Sequence, residues 1–210
     1  ITKSVVAIVT QVMVDGNDPG FVEPAKPIGP FYSESAARQH QEKEGWRMME
    51  DSGRGWRRVV ASPAPLEVIE EPVIRMLLEQ DVVVVAGGGG GIPVVRREDG
   101  VLEGVAAVID KDLTASLLAK NLGARMLLIS TSIDRVAINF RQPDQKDPDS
   151  LTVAEAREYM EAGHFAPGSM RPKISAAIDF LEHGGEKVIV TQPHLMEEAL
   201  HGRAGTHIIP

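Results

Sequence analysis

Short runs of apolar residues recur along the chain, and most of them are rich in valine and isoleucine. They cover residues 5–14, 82–85, 107–109, 126–130 and 188–190. Turn-forming or charged residues follow each run, as residues 15–20 follow the first. Because a short β-branched run that ends at turn residues is typical of a buried strand, each run predicts one strand.

Segments with helical spacing of apolar residues lie between these strands, over residues 66–79, 113–121, 153–162, 172–181 and 194–201. In the first segment, Pro72 is best placed at the first turn of a second helical stretch. Asp112 is placed to cap the second segment, Thr152 and Glu155 form a capping box before the third, and Pro172 opens the fourth. Strands that alternate with helices predict an α/β fold with a mainly parallel sheet covered on both faces.

Residues 21–58 interrupt this alternation. They contain few aliphatic residues, many charges and prolines at positions 24, 27 and 30. The pattern predicts a short polar helix over residues 35–43 and a hairpin that pairs residues 46–50 with 56–60 across a turn at 51–55. We therefore expect residues 21–58 to form a small projecting subdomain. We expect it to be hinged near residues 15–20 and 62–65 and to change its angle when substrate binds.

A run of five glycines, Gly87 to Gly91, follows the strand at residues 82–85. Amides without a neighbouring Cβ atom can approach a ligand closely and form a nest for phosphate or carboxylate oxygens. The next apolar segment delivers Asp110, Lys111 and Asp112 at its end. Because ligands of open α/β sheets bind at the carboxyl ends of strands, the glycines and the charged triplet predict one shared crevice.

Two plainer interpretations of these features stay open. The glycines alone are compatible with a flexible turn, and the charged triplet alone is compatible with a solvated helix start. Neither the GxxxxGK[ST] motif nor the GxGxxG motif of phosphate-binding loops is present. The prediction of an anion site therefore rests on the two features together.

Composition narrows the classes of function. The 210 residues are ample for one domain with a sizeable core, and the net charge of -8 argues against nucleic acid as a main partner, since phosphate-backbone binding needs a basic face. The chain has no cysteine, which fits a reducing cytoplasm, and no apolar run of membrane-spanning length. It starts at Ile1 in a strand-like segment, so we expect that its natural beginning is missing.

Five segments carry a family resemblance: KPIGPFY, GRGWRRVVASP, AGGGGGIPVV, AVIDKDLTASLLA and PGSMRPKISAAIDF. In this order they resemble carbamate kinase, of the amino acid kinase superfamily, over nearly the whole chain. The family opens with a Gly-Gly-Asn strand that has no counterpart here. The resemblance therefore implies a partial amino acid kinase-like domain over residues 1–210. Its fold would be a three-layer α/β/α sandwich around a mainly parallel sheet, with the subdomain at residues 21–58 inserted.

The resemblance also implies an activity: reversible phosphoryl transfer between ATP and carbamate to give ADP and carbamoyl phosphate, often run towards ATP, with Mg2+ and in a cytoplasmic homodimer. Phosphoryl transfer depends on positioning and on neutralisation of charge, which lysines supply. By similarity, Lys111 and Lys173 would contact the phosphates, and Asp110 would orient these two lysines. Lys26 would carry a further positive charge over the acceptor.

By the same similarity, Gly88, Gly89 and Gly90 would line the carbamate and γ-phosphate region. The expected nucleotide-binding residues are Asp134, Gly168, Ser169 and Met170. No residue is assigned as a metal ligand, and Arg171 departs from the glycine or apolar residue that the family usually has. Two alternatives stay open: another kinase of the superfamily that forms an acyl phosphate, and a non-catalytic nucleotide-binding or assembly module.

Overall fold

A computed structural model describes residues 2–51, 53–166 and 168–210. Ser52 of the expected hairpin turn and Pro167 lie outside these residues. The chain divides into two compact units, Ile1–Lys111 and Asp112–Pro210. Within the described ranges, no helix has both the length and the apolar character needed to cross a membrane.

The first unit contains nine named strands and three helices among its described residues. The strands are β1 (Val5–Ala7), β2 (Gln11–Val14), β3 (Lys26–Tyr32), β4 (Met48–Glu50), β5 (Trp56–Val60), β6 (Pro65–Val68), β7 (Val83–Val85), β8 (Ile92–Arg96) and β9 (Leu102–Gly104). The helices are α1 (Pro19–Val22), α2 (Glu34–Glu44) and α3 (Glu71–Glu79). The strands form three sheets, with the orders β1-β7, β6-β2-β8-β9 and β3-β5-β4.

The predicted strand at residues 5–14 is two strands with different partners. β1 pairs with β7 in parallel, whereas β2 lies between β6, which is antiparallel to it, and β8, which is parallel to it. The break falls at Thr10, which is buried and donates its hydroxyl hydrogen to the carbonyl of Ile8 at 3.1 Å. A local side-chain bond of this kind competes with the strand ladder and ends it.

The predicted helix at residues 66–79 is wrong in its first part. Residues 65–68 form strand β6, in which Leu66 is exposed and Val68 is buried, and the helix begins only at Glu71, with Pro72 in its first turn. The spacing of apolar residues at 66–69 is compatible with a helix or with a strand. The segment is a strand because it pairs with β2, which lies far away in the sequence.

The position of strand β7 was predicted correctly, but the prediction that its valines are buried was wrong. Val83 and Val85 are 41% and 56% exposed. The sheet that β7 forms with β1 has only two strands, and α3 packs against β7. Alternate residues of a strand point to opposite faces, so a helix on one face leaves the valines of the other face uncovered.

The segment at residues 21–58 folds as a small sheet with one helix. Strands β4 and β5 form the predicted hairpin, and α2 is the predicted polar helix, which begins after the cap Ser33 and ends at Gly45 in the left-handed conformation. The third strand, β3, was not predicted because it contains Pro27 and Pro30. It lies at the edge of the sheet, where prolines are tolerated.

This small sheet is inserted between two paired strands, since β2 and β6 are antiparallel neighbours. Asp18 joins the entry and exit of the insertion. One oxygen of its carboxylate accepts from the amide of Gly20 at 2.7 Å, and the other accepts from the amide of Ala64 at 3.1 Å. The two expected hinge segments are therefore bonded to each other.

The second unit contains four named strands, which form one sheet in the order β10-β12-β13-β11. The strands are β10 (Met126–Ser130), β11 (Ser150–Thr152), β12 (Lys187–Thr191) and β13 (Thr206–Ile209). The helices are α4 (Lys111–Asn121), which begins at the last residue of the first unit, α5 (Val153–Glu161), α6 (Met170–Glu182) and α7 (Met196–Leu200), with a 3-10 turn at Pro193–Leu195. β10 pairs with β12 and β11 with β13 in parallel, and β12 and β13 are antiparallel.

The core of the second unit is built from one face of α6 and the central strands. Ile174 and Phe180 of α6 are fully buried, together with Val188 and Val190 of β12 and Ile208 of β13. Phe180 also lies against the backbone of Gly185, where a Cβ atom would come within 2.3 Å of its ring. This contact explains why the helix is followed by a residue without a side chain.

Helix α5 begins at the predicted capping box. The Thr152 hydroxyl accepts from the amide of Glu155 at 3.2 Å, and the Glu155 carboxylate accepts from the amide of Thr152 at 2.7 Å. The hydrogen bond from the Thr152 backbone lowers the pKa of the Glu155 carboxyl below its usual value. The predicted start of this helix is confirmed.

Candidate functional site

The glycine run forms a closed turn with two exposed members. The amide of Gly87 donates to the buried Thr10 hydroxyl at 2.9 Å, and the amide of Gly90 donates to the carbonyl of Gly87 at 2.8 Å. Gly88 and Gly89, between them, are exposed, and a Cβ atom on either would meet nothing within 4 Å. Among the described residues, no group accepts from these two amides. They can therefore donate to an anion.

The other end of the run is packed tightly. Gly90 and Gly91 have positive φ angles of 130° and 86°. A Cβ atom at Gly90 would lie 2.2 Å from the carbonyl oxygen of Ile109, and one at Gly91 would lie 2.3 Å from the side chain of Val12. The run is thus seated on the segment that leads to Asp110, which disfavours the interpretation as a flexible turn. Gly90, unlike Gly88 and Gly89, is buried against its own unit.

Lys26 and Asp110 form an ion pair inside the first unit. The Nζ atom of Lys26 lies 2.5 Å from Oδ2 of Asp110, and the two side chains are 26% and 8% exposed. The backbone brings them together: Lys26 is opposite Val60 in the β3–β5 ladder, and the next residue, Ala61, bridges to Ala107. The carboxylate that we expected to orient other lysines is therefore bonded to Lys26.

Lys173 and Asp112 form the corresponding pair in the second unit. Nζ of Lys173 lies 2.8 Å from Oδ2 of Asp112, and both side chains are less than one tenth exposed. Lys173 lies near the N-terminus of α6, where a cation opposes the helix dipole, and Asp112 lies in the first turn of α4. Since a buried ammonium group requires a partner, this carboxylate fixes the lysine.

The structure corrects the role of Asp112. It was predicted as a member of the charged triplet and as the N-cap of a helix over residues 113–121, yet α4 begins at Lys111 and includes it. The pairing of Asp112 with Lys173 was not predicted from the sequence, because the two residues lie 61 positions apart. Lys111, the middle member, is exposed at the start of α4.

Two adjoining cavities lie in the second unit. The first, of about 220 Å³, has mainly apolar walls that include Ile133, Phe140 and Met170, with Ser169 and Lys173 also in its lining. Lys173 is its one charged lining residue within the described part of the chain. An apolar pocket with a single cation suits a ligand that has a flat apolar part and an anionic part.

The second cavity, of about 300 Å³, shares Ile133, Ala137 and Phe140 with the first but is more polar. Asp134 lies in its wall, and its Oδ1 accepts from the amide of Gly205 at 3.0 Å and from the hydroxyl of Thr191 at 3.3 Å. The structure thus places three of the four expected nucleotide residues, Asp134, Ser169 and Met170, at these cavities. Gly168 is exposed and lines neither of them.

Comparison with known proteins gives the family. The sequence profile described as "Amino acid kinase family" matches residues 20–192 of the chain. The chain belongs to the amino acid kinase family. The α/β class that the pattern of strands and helices predicted is confirmed as the fold of this family.

Relatives with about half of their residues identical to this chain include a carbamate kinase-like protein and carbamate kinases. The chain is 50% identical over 208 residues to the carbamate kinase-like protein YahI of Escherichia coli, a match that covers 99% of this chain and 66% of that protein. It is 47% identical over 209 residues to a carbamate kinase of Thermococcus kodakarensis. That match covers 100% of this chain and 66% of the other protein. The resemblance inferred from the five motifs is therefore confirmed.

A solved structure agrees with these matches. The carbamate kinase of Giardia lamblia bound to AMP-PNP superposes on the chain with a TM-score of 0.86 at 43% identity, covering 99% of this chain and 66% of that one. The chain spans about two thirds of the length of the relatives that it matches, 66% for both relatives above.

Proposed function

We propose that this chain carries out phosphoryl transfer between ATP and carbamate, which gives ADP and carbamoyl phosphate. The observation that carries the proposal is the segment at residues 110–112. Within the first unit, its buried carboxylate Asp110 holds Lys26, and within the second unit, its buried carboxylate Asp112 holds Lys173; the exposed Lys111 lies between the two carboxylates in the sequence. Each unit thus presents a lysine fixed by a carboxylate of this segment, which is the kind of cation that phosphoryl transfer needs.

The reaction needs such cations. A carbamate oxygen attacks the γ-phosphorus of ATP, the bond from that phosphorus to the bridging oxygen breaks, and ADP leaves with the electron pair. Negative charge spreads over the oxygens of the moving phosphoryl group, and ammonium groups that are already in place stabilise it without reorganisation. A covalent protein nucleophile is not required.

The acceptor elements of this proposal lie in the first unit. The amides of Gly88 and Gly89 would donate to oxygens of carbamate and of the phosphoryl group, and Lys26 would add a positive charge there. Gly90 supports the cradle through its packing on Ile109 and not through an exposed amide. Neutral amides and one ammonium suit an acceptor that is small and singly charged.

The nucleotide elements lie in the second unit. The apolar cavity walled by Phe140 and Met170 would hold the base, and Lys173 in its lining would contact the phosphates. Oδ1 of Asp134 already accepts two hydrogen bonds, and Oδ2 accepts none from the described residues, so it can accept from the ribose hydroxyls. AMP-PNP, bound by the similar protein of Giardia lamblia, has this same combination of base, ribose and phosphates.

Mg2+ is part of the proposal as the counter-ion of the nucleotide. Mg2+ keeps several waters and is usually bound through one or two carboxylates together with substrate phosphates. Within the described residues, His, Asp and Glu side chains form no group of three or more that could hold a metal ion. Asp110 and Asp112 each face a lysine, so a metal carried on the phosphates fits these residues better than a protein cage does. When bound, it would offset phosphate charge.

The test is an assay of ATP formation from carbamoyl phosphate and ADP, with the reverse reaction run on a panel of acceptors: carbamate, glutamate, aspartate and acetylglutamate. We expect turnover with carbamate alone. Turnover with an amino acid and none with carbamate would support another kinase of the superfamily. Binding of ADP without turnover of any acceptor would support a non-catalytic nucleotide-binding module.

A homodimer and a cytoplasmic location, both implied by the resemblance, remain parts of the proposal. Light scattering on the purified protein tests the first: a mass of twice 22.7 kDa is expected for a dimer of this chain. A mass that stays at one chain across a wide range of concentration would contradict it.

A further inference from the structure

Thr10, which is buried, is bonded to both ends of the glycine run. Its side-chain oxygen accepts from the amide of Gly87, the first glycine, at 2.9 Å. Its backbone carbonyl accepts from the amide of Ile92, the residue after the last glycine, at 2.8 Å. We propose that Thr10 is a positioning residue for the acceptor, because it holds the glycine run so that the amides of Gly88 and Gly89 keep one direction. This inference rests on the proposed function and adds to it a residue that acts through the backbone of others.

A third bond fixes the direction of the Thr10 hydroxyl. It donates its hydrogen to the carbonyl of Ile8 at 3.1 Å. Because a hydroxyl has only one hydrogen, its oxygen can serve the amide of Gly87 only as an acceptor. Ile8 in turn donates its amide to the carbonyl of Val85, the last residue of β7, at 2.9 Å. Residues 8–10 therefore hold the chain at three points, at the end of β7, at the start of the glycine run and at the start of β8.

The glycine run needs such support because it passes from one sheet to another. β7 pairs with β1, whereas β8, on the other side of the run, pairs with β2. Glycine has the widest choice of backbone conformations, so five glycines in sequence have no fixed geometry of their own.

Amides stabilise a developing anion best when they already point at it, since no reorganisation is then required. The packing of Gly90 and Gly91 fixes the far end of the run, and the bond from Gly87 to Thr10 fixes the near end. Gly88 and Gly89, which carry the exposed amides, lie between these two fixed ends. Thr10 thus supplies the part of the geometry that the glycines lack.

The role predicts an effect on one substrate and not on the other. Thr10→Val keeps the shape of the side chain but leaves the buried amide of Gly87 without its acceptor. Because misplacement by about an ångström can cost about a hundredfold in rate, we expect kcat/KM for carbamoyl phosphate to fall at least about tenfold. KM for ADP should change less than about twofold, because the proposed nucleotide residues lie in the second unit. A loss of folded protein alone would lower kcat and leave both KM values unchanged.

Thr10→Ser is the conservative variant. It keeps the hydroxyl and loses a buried methyl group, so its kcat/KM for carbamoyl phosphate should stay within about threefold of the wild type. Thr10→Cys should lie between the other two, since a thiol is a weak acceptor. If Thr10→Val does not fold, the comparison of Thr10→Cys with Thr10→Ser takes its place.

Thr206→Val is the matched control. Thr206 is a buried threonine of β13 whose hydroxyl also accepts from a backbone amide, that of Val136 at 2.9 Å, and donates to a backbone carbonyl, that of Pro148 at 2.7 Å. The control variant therefore loses the same two kinds of bond in the second unit. At saturating ADP, its kcat/KM for carbamoyl phosphate should stay within about threefold of the wild type. Urea unfolding of every variant checks that the folded fraction is the same in the assay.

Amide hydrogen exchange tests the bond without any assay of activity. We expect the amide of Gly87 to exchange at least about tenfold faster in Thr10→Val than in the wild type, and at the wild-type rate in Thr10→Ser. Equal rates in Thr10→Val and the wild type would contradict the proposal.

Each kinetic outcome decides the inference. A wild-type kcat/KM for carbamoyl phosphate in Thr10→Val overturns it, as does an equal loss in Thr10→Ser or in Thr206→Val. If the wild-type protein turns over no acceptor, the proposed function has failed, and the variants are compared by the binding of inorganic phosphate in calorimetry. Weaker binding by Thr10→Val, with wild-type binding by Thr10→Ser, then supports the positioning role. Equal binding by all variants, or no binding by the wild type, overturns it.

Discussion

The two lysine–carboxylate pairs have the same chemistry but very different surroundings. Lys26 comes from a proline-containing edge strand and keeps about a quarter of its side chain exposed, whereas Lys173 comes from a helix packed into the core and is almost fully buried. Ion pairs in contact with water contribute little to stability, but a buried charge that loses its partner is strongly destabilising. The two carboxylates are equally buried, so the difference between the pairs lies in the lysines: Lys26 is partly exposed and Lys173 is buried.

The neighbours of the lysines extend this contrast. Ile174 and Ala177 follow Lys173 in α6 and are fully buried, so the helix has a fixed place in its unit. Pro27 and Ile28 follow Lys26 in β3 and are only partly buried. A cation in a rigid core suits the phosphates of a nucleotide, which bind in the same way each time. A cation at a sheet edge suits a small acceptor that must enter and leave.

The largest effect is expected from Lys173→Met. Loss of a cation that stabilises the transition state should lower turnover by about a hundredfold or more. The variant also leaves Asp112 buried without its lysine, so the free energy of unfolding should fall by about 3–5 kcal/mol. Steady-state kinetics and urea unfolding measure the two effects.

The double variant Lys173→Met with Asp112→Asn separates these effects. It removes the unpaired charge, so stability should return towards that of the wild type while turnover stays low. Recovery of both stability and turnover would show that Lys173 has only a structural role. The Lys173–Asp112 pair would then differ from the Lys26–Asp110 pair only in its contribution to stability.

Gly90→Ala should disturb the support of the Lys26–Asp110 pair and leave the other pair intact. The new Cβ atom would lie 2.2 Å from the carbonyl of Ile109 at a φ of 130°, so we expect a loss of about 2 kcal/mol or more in the free energy of unfolding. Gly89→Ala is the matched control, because its Cβ atom meets nothing within 4 Å. Chemical denaturation measures the free energy of unfolding of the two variants. Equal values for Gly90→Ala and Gly89→Ala would contradict the packing described for Gly90.

Amide hydrogen exchange tests whether the two pairs differ in mobility. We expect the amides of β3 and β5 to exchange at least about tenfold faster than those of β12, whose Val188 and Val190 are fully buried. Carbamoyl phosphate should slow exchange in β3 more than in β12. Exchange in β3 as slow as in β12, with and without the ligand, would rule out movement of the inserted sheet.

The smallest effect is expected at a site that touches neither pair. Thr152→Ala removes the cap of α5 and should cost about 1 kcal/mol of stability with no change in turnover. The pKa of Glu155 is lowered in the folded state, so its contribution is present above the usual carboxyl pKa and is lost as the pH falls through the lowered value. Thermal unfolding between neutral and acidic pH measures it, and Glu155→Gln should flatten this pH dependence.

Local signals in the sequence predicted local structure well. The capping box of Thr152 and Glu155 gave the start of α5, and the run at residues 126–130 gave β10, because both depend on near neighbours. The helix prediction was wrong for residues 66–68 because the pairing of this segment with β2 cannot be seen in a window of ten residues. The exposure of Val83 was missed for a related reason, since burial depends on what covers a strand.

For the candidate site too, the sequence predicted the local features and not the contacts between distant residues. The glycine run and the triplet at residues 110–112 were found from composition and spacing, and the lysines were found from resemblance to a family. The pairing was not predicted, because the partners of Asp110 and Asp112 lie 84 and 61 residues away. Which carboxylate faces which lysine is a property of strand register and helix packing, and neither is encoded within a single motif.

The two hydrogen bonds of Asp18 make the inserted sheet a module that could be replaced as a whole. They hold the start and the end of the insertion side by side, so the hairpin of β2 and β6 would close in almost the same way with a tight turn in its place. Evolution could therefore lengthen, shorten or exchange this insertion at little cost to the remaining strands. Variation in acceptor preference among related kinases is expected to concentrate there, because the insertion carries Lys26 of the proposed site and is only loosely required by the fold.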